Sequence, residues 1–97
     1  MMHENNEDYL PFKVGDALLI RTVTMILVGR LTHIGREFLT LEDGGWVADT
    51  GRFSVALEKG ALGEFERVPS WFAVGRGTIV DIYPWANALP QKTQSGV

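Results

Sequence analysis

Residues 23–34 read VTMILVGRLTHI, an apolar run long enough for a strand of about twelve residues with a glycine inside it. This stretch constrains the fold more than any other. Val23, Met25, Leu27 and Leu31 share one face at period two. Ile26 and Val28 fall on the other face, among Thr22, Thr24, Arg30 and Thr32. A strand apolar on both sides must be covered on both sides over part of its length. Its length exceeds the usual range, and Gly29 near its middle marks a sharp bend or a close backbone approach. A strand bent in this way serves both halves of a curled sheet.

The remaining elements are shorter. VGDALLIRT (14–22) reads as a strand before the long one, and EFLTLED (37–43) as a strand after it. Asp43-Gly44-Gly45 is a turn signal, because glycines accept positive φ, and WVAD (46–49) then reads as a short return strand. DTGRFSVALEKG (49–60) changes character. Asp49 or Thr50 serves as N-cap, Phe53 and Leu57 stand on one helical face, and Gly60 closes the C-terminus. EFERV (64–68) and WFAV (71–74) are short strands split by Pro69-Ser70, and GTIVDIY (77–83) is a last strand stopped by Pro84.

These elements predict a mainly β chain of five to six strands with one short inserted helix. So short a chain fills a two-sheet sandwich poorly, and a small, strongly bent barrel removes its strand edges. The expected organisation is a mobile N-terminal tail at 1–8, a single barrel domain at 9–89 and a loose C-terminal tail at 90–97.

Ninety-seven residues suit one domain, and the absence of cysteine excludes disulfides and thiolate metal sites. Net charge is −3, but residues 9–90 carry eight Lys and Arg against nine Asp and Glu. The body is thus near neutral. A local positive patch is compatible with this balance; a general attraction to phosphate is not. The N-terminal residues have neither the basic nor the apolar region of a signal peptide, and the apolar runs are too short to span a bilayer. The expected location is cytoplasmic, without a membrane partner.

The usual catalytic constellations are missing. His33 stands at a turn with no second His or Cys at ligand spacing, so it reads as a solvated turn residue. Asp43, Asp49, Glu58, Glu64 and Glu66 are scattered, and nothing implies a pair facing across a cleft. Ser54 and Ser70 lack a nucleophile-elbow context, and there is no phosphate-cradling glycine loop. The expectation is no enzyme activity, no cofactor and no metal. Trp46, Trp71 and Trp85 read as core or interface filling before stacking platforms; Trp85, after Pro84 at a strand end, is the one expected to be exposed or to meet a partner subunit.

Four of the six arginines follow a glycine: Gly29-Arg30, Gly35-Arg36, Gly51-Arg52 and Gly75-Arg76. Two readings stand side by side. The arginines are solvated strand-end residues, or some gather on one rim where open backbone admits a ligand, since the planar guanidinium grips phosphate and stacks on bases. VGRLTHIGREFLTLED and FAVGRGTIVDIY together resemble the two halves of the Sm-like fold, the family of the LSm and Hfq-type proteins. Gly29, Leu31, Ile34, Leu39, Leu41 and Glu42 follow the pattern of its first half. Val74, Arg76, Gly77, Val80 and Ile82 follow that of its second, and the match covers roughly half the chain. The family's loop Asp and Asn are absent from GREFL (35–39), and the region between the halves is longer, with its own predicted helix.

The resemblance implies an SH3/Sm-like barrel that closes into a cyclic homo-oligomer of about five to seven subunits. Arg76 and Gly77 would line its pore with Arg36 nearby and bind single-stranded RNA weakly. The doubly apolar strand implies a subunit interface at Ile26 and Val28, joined by Trp85. Short members of this kind occur in phages, which would place the chain in a host cytoplasm. The alternative is a structural or adaptor module, in a phage particle or host complex, that docks a protein partner without nucleic acid.

Overall fold

The computed structural model describes residues 10–94. In chain order the elements are β1 (Ala17–Thr22), β2 (Ile26–Ile34), β3 (Phe38–Asp49), α1 (Phe53–Lys59), β4 (Glu64–Arg67), β5 (Phe72–Gly75), a 3₁₀ turn (Arg76–Thr78) and β6 (Ile79–Pro84). The strands form one antiparallel sheet in the order β4-β3-β2-β1-β6, and β5 pairs with the first part of β3. The mainly β architecture with one short helix agrees with the sequence. No helix among the described residues is long and apolar enough to cross a membrane.

β1 shows why the apolar run at its centre is unbroken. Leu18 and Ile20 point into one core with Leu31, Leu39, Leu41 and Val74. Leu19, between them, points into a second core with Val28, Val47, Phe65, Trp85 and Leu89. Successive strand residues face opposite sides, so both faces of the sheet are covered at β1. The second core is roofed by Phe53 and Leu57 of α1, which confirms the predicted helical face.

The bend at Gly29 is where β2 and β3 fall out of step. Val28 pairs with Gly45 and Arg30 with Glu42, so β3 carries an extra residue there. The insertion reverses side-chain alternation: Leu39 and Leu41 face the first core, whereas Val47 of the same parity faces the second. Asp43 takes φ 57°, and the strand runs on to Asp49. The predicted hairpin at Asp43–Gly45 is therefore incorrect; these residues form a bulge inside one long strand. The glycines serve close approach: a Cβ on Gly44 would stand 1.8 Å from the Val28 carbonyl oxygen, and one on Gly45 2.1 Å from that of Glu66.

Other expectations are corrected at element ends. β2 begins at Ile26 because the chain reverses at Val23-Thr24. The Thr22 amide donates to the Met25 carbonyl at 2.7 Å, and the Thr22 hydroxyl accepts from the Met25 amide at 2.9 Å. This side chain closes a hairpin that has no glycine and no positive φ. Val23, expected on the core face, is consequently 72% exposed. The helix N-cap is Arg52 without a side-chain bond; Asp49 accepts from the Gly51 amide instead. Gly60 does close the helix, at φ 74°.

The predicted barrel is not closed. Among the described residues β6 pairs with β1 and β5 with β3, and no ladder joins β5 to β6. The 3₁₀ turn spans that gap and bonds to the turns that precede and follow β2: the Val23 amide donates to the Thr78 carbonyl, and the Arg76 amide to the Glu37 carbonyl. Of the predicted tails, residues 1–8 and 95–97 lie outside the described residues. The rest of the C-terminal tail is not loose. Pro90 is buried, and Gln94 exchanges two backbone hydrogen bonds with Phe65, covering the outer edge of β4.

Candidate functional site

Arg76 and the turn that carries Arg36, forty positions apart in sequence, meet at one corner of the sheet. Arg36 lies in the β2–β3 turn, and Arg76 opens the 3₁₀ turn before β6. The Arg76 guanidinium donates through Nη1 to the Gly35 carbonyl at 2.7 Å. Its backbone amide donates to the Glu37 carbonyl at 2.9 Å. Arg76 thus grips the residues on either side of Arg36. Arg76 has a duty inside its own chain, and the residue its two contacts flank, Arg36, is exposed.

The surroundings of the corner are open. Gly77 is exposed, and a Cβ there would meet nothing within 4 Å. Thr78 shapes the turn by donating its hydroxyl to the Gly75 carbonyl at 2.7 Å. Phe38, paired with Gly75 across β3 and β5, is 52% exposed. His33 is exposed at the end of β2, its ring close to Gly35. The acidic side chain of the turn is Glu37. Arginine side chains can hold a phosphate, and an exposed aromatic face with open backbone can stack a base; Arg36, Arg76, Phe38 and Gly77 supply these groups on neighbouring turns and strand ends.

The expected interface residues are placed differently. Val28 is fully buried in the second core of its own chain, and Ile26 packs against that core half-buried. Trp85 is 4% exposed, contrary to the expectation of a surface position. Pro84 ends β6, but the chain then folds back under α1. The indole N–H donates to the Ala88 carbonyl at 3.2 Å, which lets the ring enter the core without an unpaired donor. Trp46 and Trp71 are the exposed tryptophans.

A charged network was not foreseen. Arg21 of β1 and Asp81 of β6 are cross-strand partners joined by two side-chain hydrogen bonds, Nε to Oδ1 at 2.7 Å and Nη2 to Oδ2 at 2.5 Å. The Tyr83 hydroxyl donates to the same carboxylate at 3.0 Å. The guanidinium lies 5.8 Å from the Phe53 ring centroid, and Phe53 meets Tyr83 edge to face at 5.1 Å. The Arg21 hydrogen bond, with help from Tyr83, holds the Asp81 carboxyl below its ordinary value, and Asp81 raises Arg21 in turn. Asp16 is likewise lowered, chiefly by the Lys13 backbone amide at 2.9 Å. Arg21 and Asp81 are sixty residues apart, so the strand register alone reveals their meeting. The network fastens β6 and α1 to β1. Among the described residues no three His, Asp or Glu side chains gather as a metal site would require.

Comparison with known protein families, with characterised proteins and with solved structures found no match for this chain.

Proposed function

We propose that this chain is a non-enzymatic Sm-like module that binds single-stranded RNA weakly at the arginine corner and assembles with copies of itself. The observation that carries this reading is the docking of Arg76 on the turn that carries exposed Arg36, beside exposed Phe38 and the open backbone of Gly77. The arginines supply phosphate contacts and the phenylalanine a sequence-tolerant stacking face. Such a patch is local, in keeping with a net charge of −3. Assembly is supported by the edges of β5 and β6, each of which pairs with one strand only among the described residues, since strands with unpaired backbone groups accept further strands. Ile26 is the remaining expected interface residue with surface to offer.

The test is fluorescence anisotropy with a short labelled mixed-sequence RNA across a salt series. Two phosphate contacts predict a slope of log affinity against log salt of about −1.4. Arg36→Ala is the informative variant, because Arg36 is exposed whereas Arg76 also holds the β2–β3 turn. It should weaken binding several-fold and reduce the slope by about 0.7. Unchanged affinity in Arg36→Ala would remove the corner as the site.

A second reading, a module that docks a protein partner, has its own observation. Val23, Met25, Trp46 and Val80 expose apolar surface around one cleft.

A further inference from the structure

The cleft beside the β1–β2 turn has a volume of about 340 Å³ and is walled by that turn, by Trp46–Ala48 of β3 and by Val80 of β6. Three segments distant in sequence converge there, and each leaves an apolar side chain outside the two cores. Val23 is 72% and Val80 59% exposed; Met25 and Trp46 are exposed to a lesser degree. Folding does not require this at the turn, which the Thr22 hydroxyl closes and which any polar residue at position 23 would satisfy. Convergent exposed apolar side chains mark a surface that a partner covers.

The charges beside the cleft specify the partner. Trp46 pairs across the sheet with Glu66, and Asp49 with Glu64. Directly opposed residues share a face, so Glu66 and Trp46 are neighbours on one face of the sheet. Both glutamates are exposed, and among the described residues neither lies in an ion pair. The cation in the cleft wall, Arg21, is neutralised by Asp81, and Arg52 lies beyond Asp49 at the start of α1. The result is a cleft of exposed apolar side chains, its wall completed by Thr22 and Thr24, with acidic side chains beside Trp46 that repel phosphate and attract ammonium and guanidinium groups.

We infer that this cleft takes a peptide segment of another protein in which a large apolar side chain is flanked by lysine or arginine. The apolar side chain enters between Val23, Val80 and Trp46, and its basic neighbours face Glu66 and Glu64. The inference rests on the protein-docking reading and is independent of the arginine corner.

The probes are two short fluorescein-labelled peptides, one alternating lysine with leucine and the other glutamate with leucine. Anisotropy should detect the lysine peptide and not the glutamate peptide. Trp46→Ala should weaken the lysine peptide at least about 10-fold, as loss of an aromatic anchor does. Glu66→Lys should weaken it several-fold and flatten its salt dependence. Arg36→Ala should leave it unchanged, and circular dichroism melts should show each variant folded. Equal, Trp46-dependent binding of both peptides would overturn the charge assignment while keeping the docking surface. Absence of binding, or indifference to Trp46→Ala, would overturn the docking reading itself. Self-association abolished by Val80→Asp would assign the cleft to a second copy of this chain, and so would overturn the inference too.

Discussion

Substitution of Gly44 by alanine tests the bulge that lets one sheet serve two cores. A Cβ at this position would stand 1.8 Å from the Val28 carbonyl oxygen and 2.7 Å from the Gly29 Cα. A carbon and a carbonyl oxygen in contact lie about 3.3 Å apart or more, so β2 and β3 must part locally by about 1.5 Å. That movement breaks the pairing of Val28 with Gly45 and disturbs the bond from the Val68 amide to the Gly44 carbonyl, 2.9 Å long. Two or three backbone hydrogen bonds contribute about 1 kcal/mol each. Loosened packing of the fully buried Val28 adds about 1 kcal/mol. Gly44→Ala should therefore cost about 3–4 kcal/mol, a large share of the ~5–15 kcal/mol typical of a domain. Gly77→Ala is the control: with open space and no positive φ it should be neutral or stabilise by about 0.4–1 kcal/mol. Urea unfolding followed by tryptophan fluorescence measures both, at an unchanged m-value. A Gly44→Ala variant within about 0.5 kcal/mol of the parent would refute the close-approach account.

Two further predictions concern the roofed second core and its edge. Trp85→Ala should lose about 3–5 kcal/mol and unfold early in the same urea series, whereas Trp71→Ala, at an exposed position, should change stability by less than about 0.5 kcal/mol. Because Asp81 is depressed in the folded chain, its stabilisation is complete above the ordinary carboxylate value of 3.8 and is lost as pH falls from there through the lower folded value. Unfolding takes up protons in that window, so stability rises with pH across it. Asp81→Asn should flatten the acid limb below about pH 4 in a melting series, and an acid limb identical to the parent's would contradict the Arg21–Asp81 pairing.

The elements easiest to read from the sequence are those set by local chemistry. The apolar run of β1, the bend at Gly29, the Phe53–Leu57 helical face and the Gly60 cap all depend on residues a few positions apart. Errors arose where a distant backbone decides. Gly44 and Gly45 carry the residue types of a hairpin turn, yet their smallness serves the approach of β2 and β4. The reversal at Val23-Thr24 lacks glycine, asparagine or proline and rests on the Thr22 hydroxyl, so the periodic pattern ran through it. Trp85 follows a strand-ending proline, and nothing local indicates that residues 85–94 fold back over the sheet to Phe65. At the candidate site, the two arginine–glycine pairs were legible as residue types; their meeting depends on the 3₁₀ turn crossing the gap between β5 and β6.

Mass in solution by light scattering, with and without a short mixed RNA, tests assembly and RNA binding together. The expected result is a particle of several 10.8 kDa chains that gains the mass of bound RNA. A 10.8 kDa monomer that takes up no RNA would contradict both assembly and the role of the arginine corner.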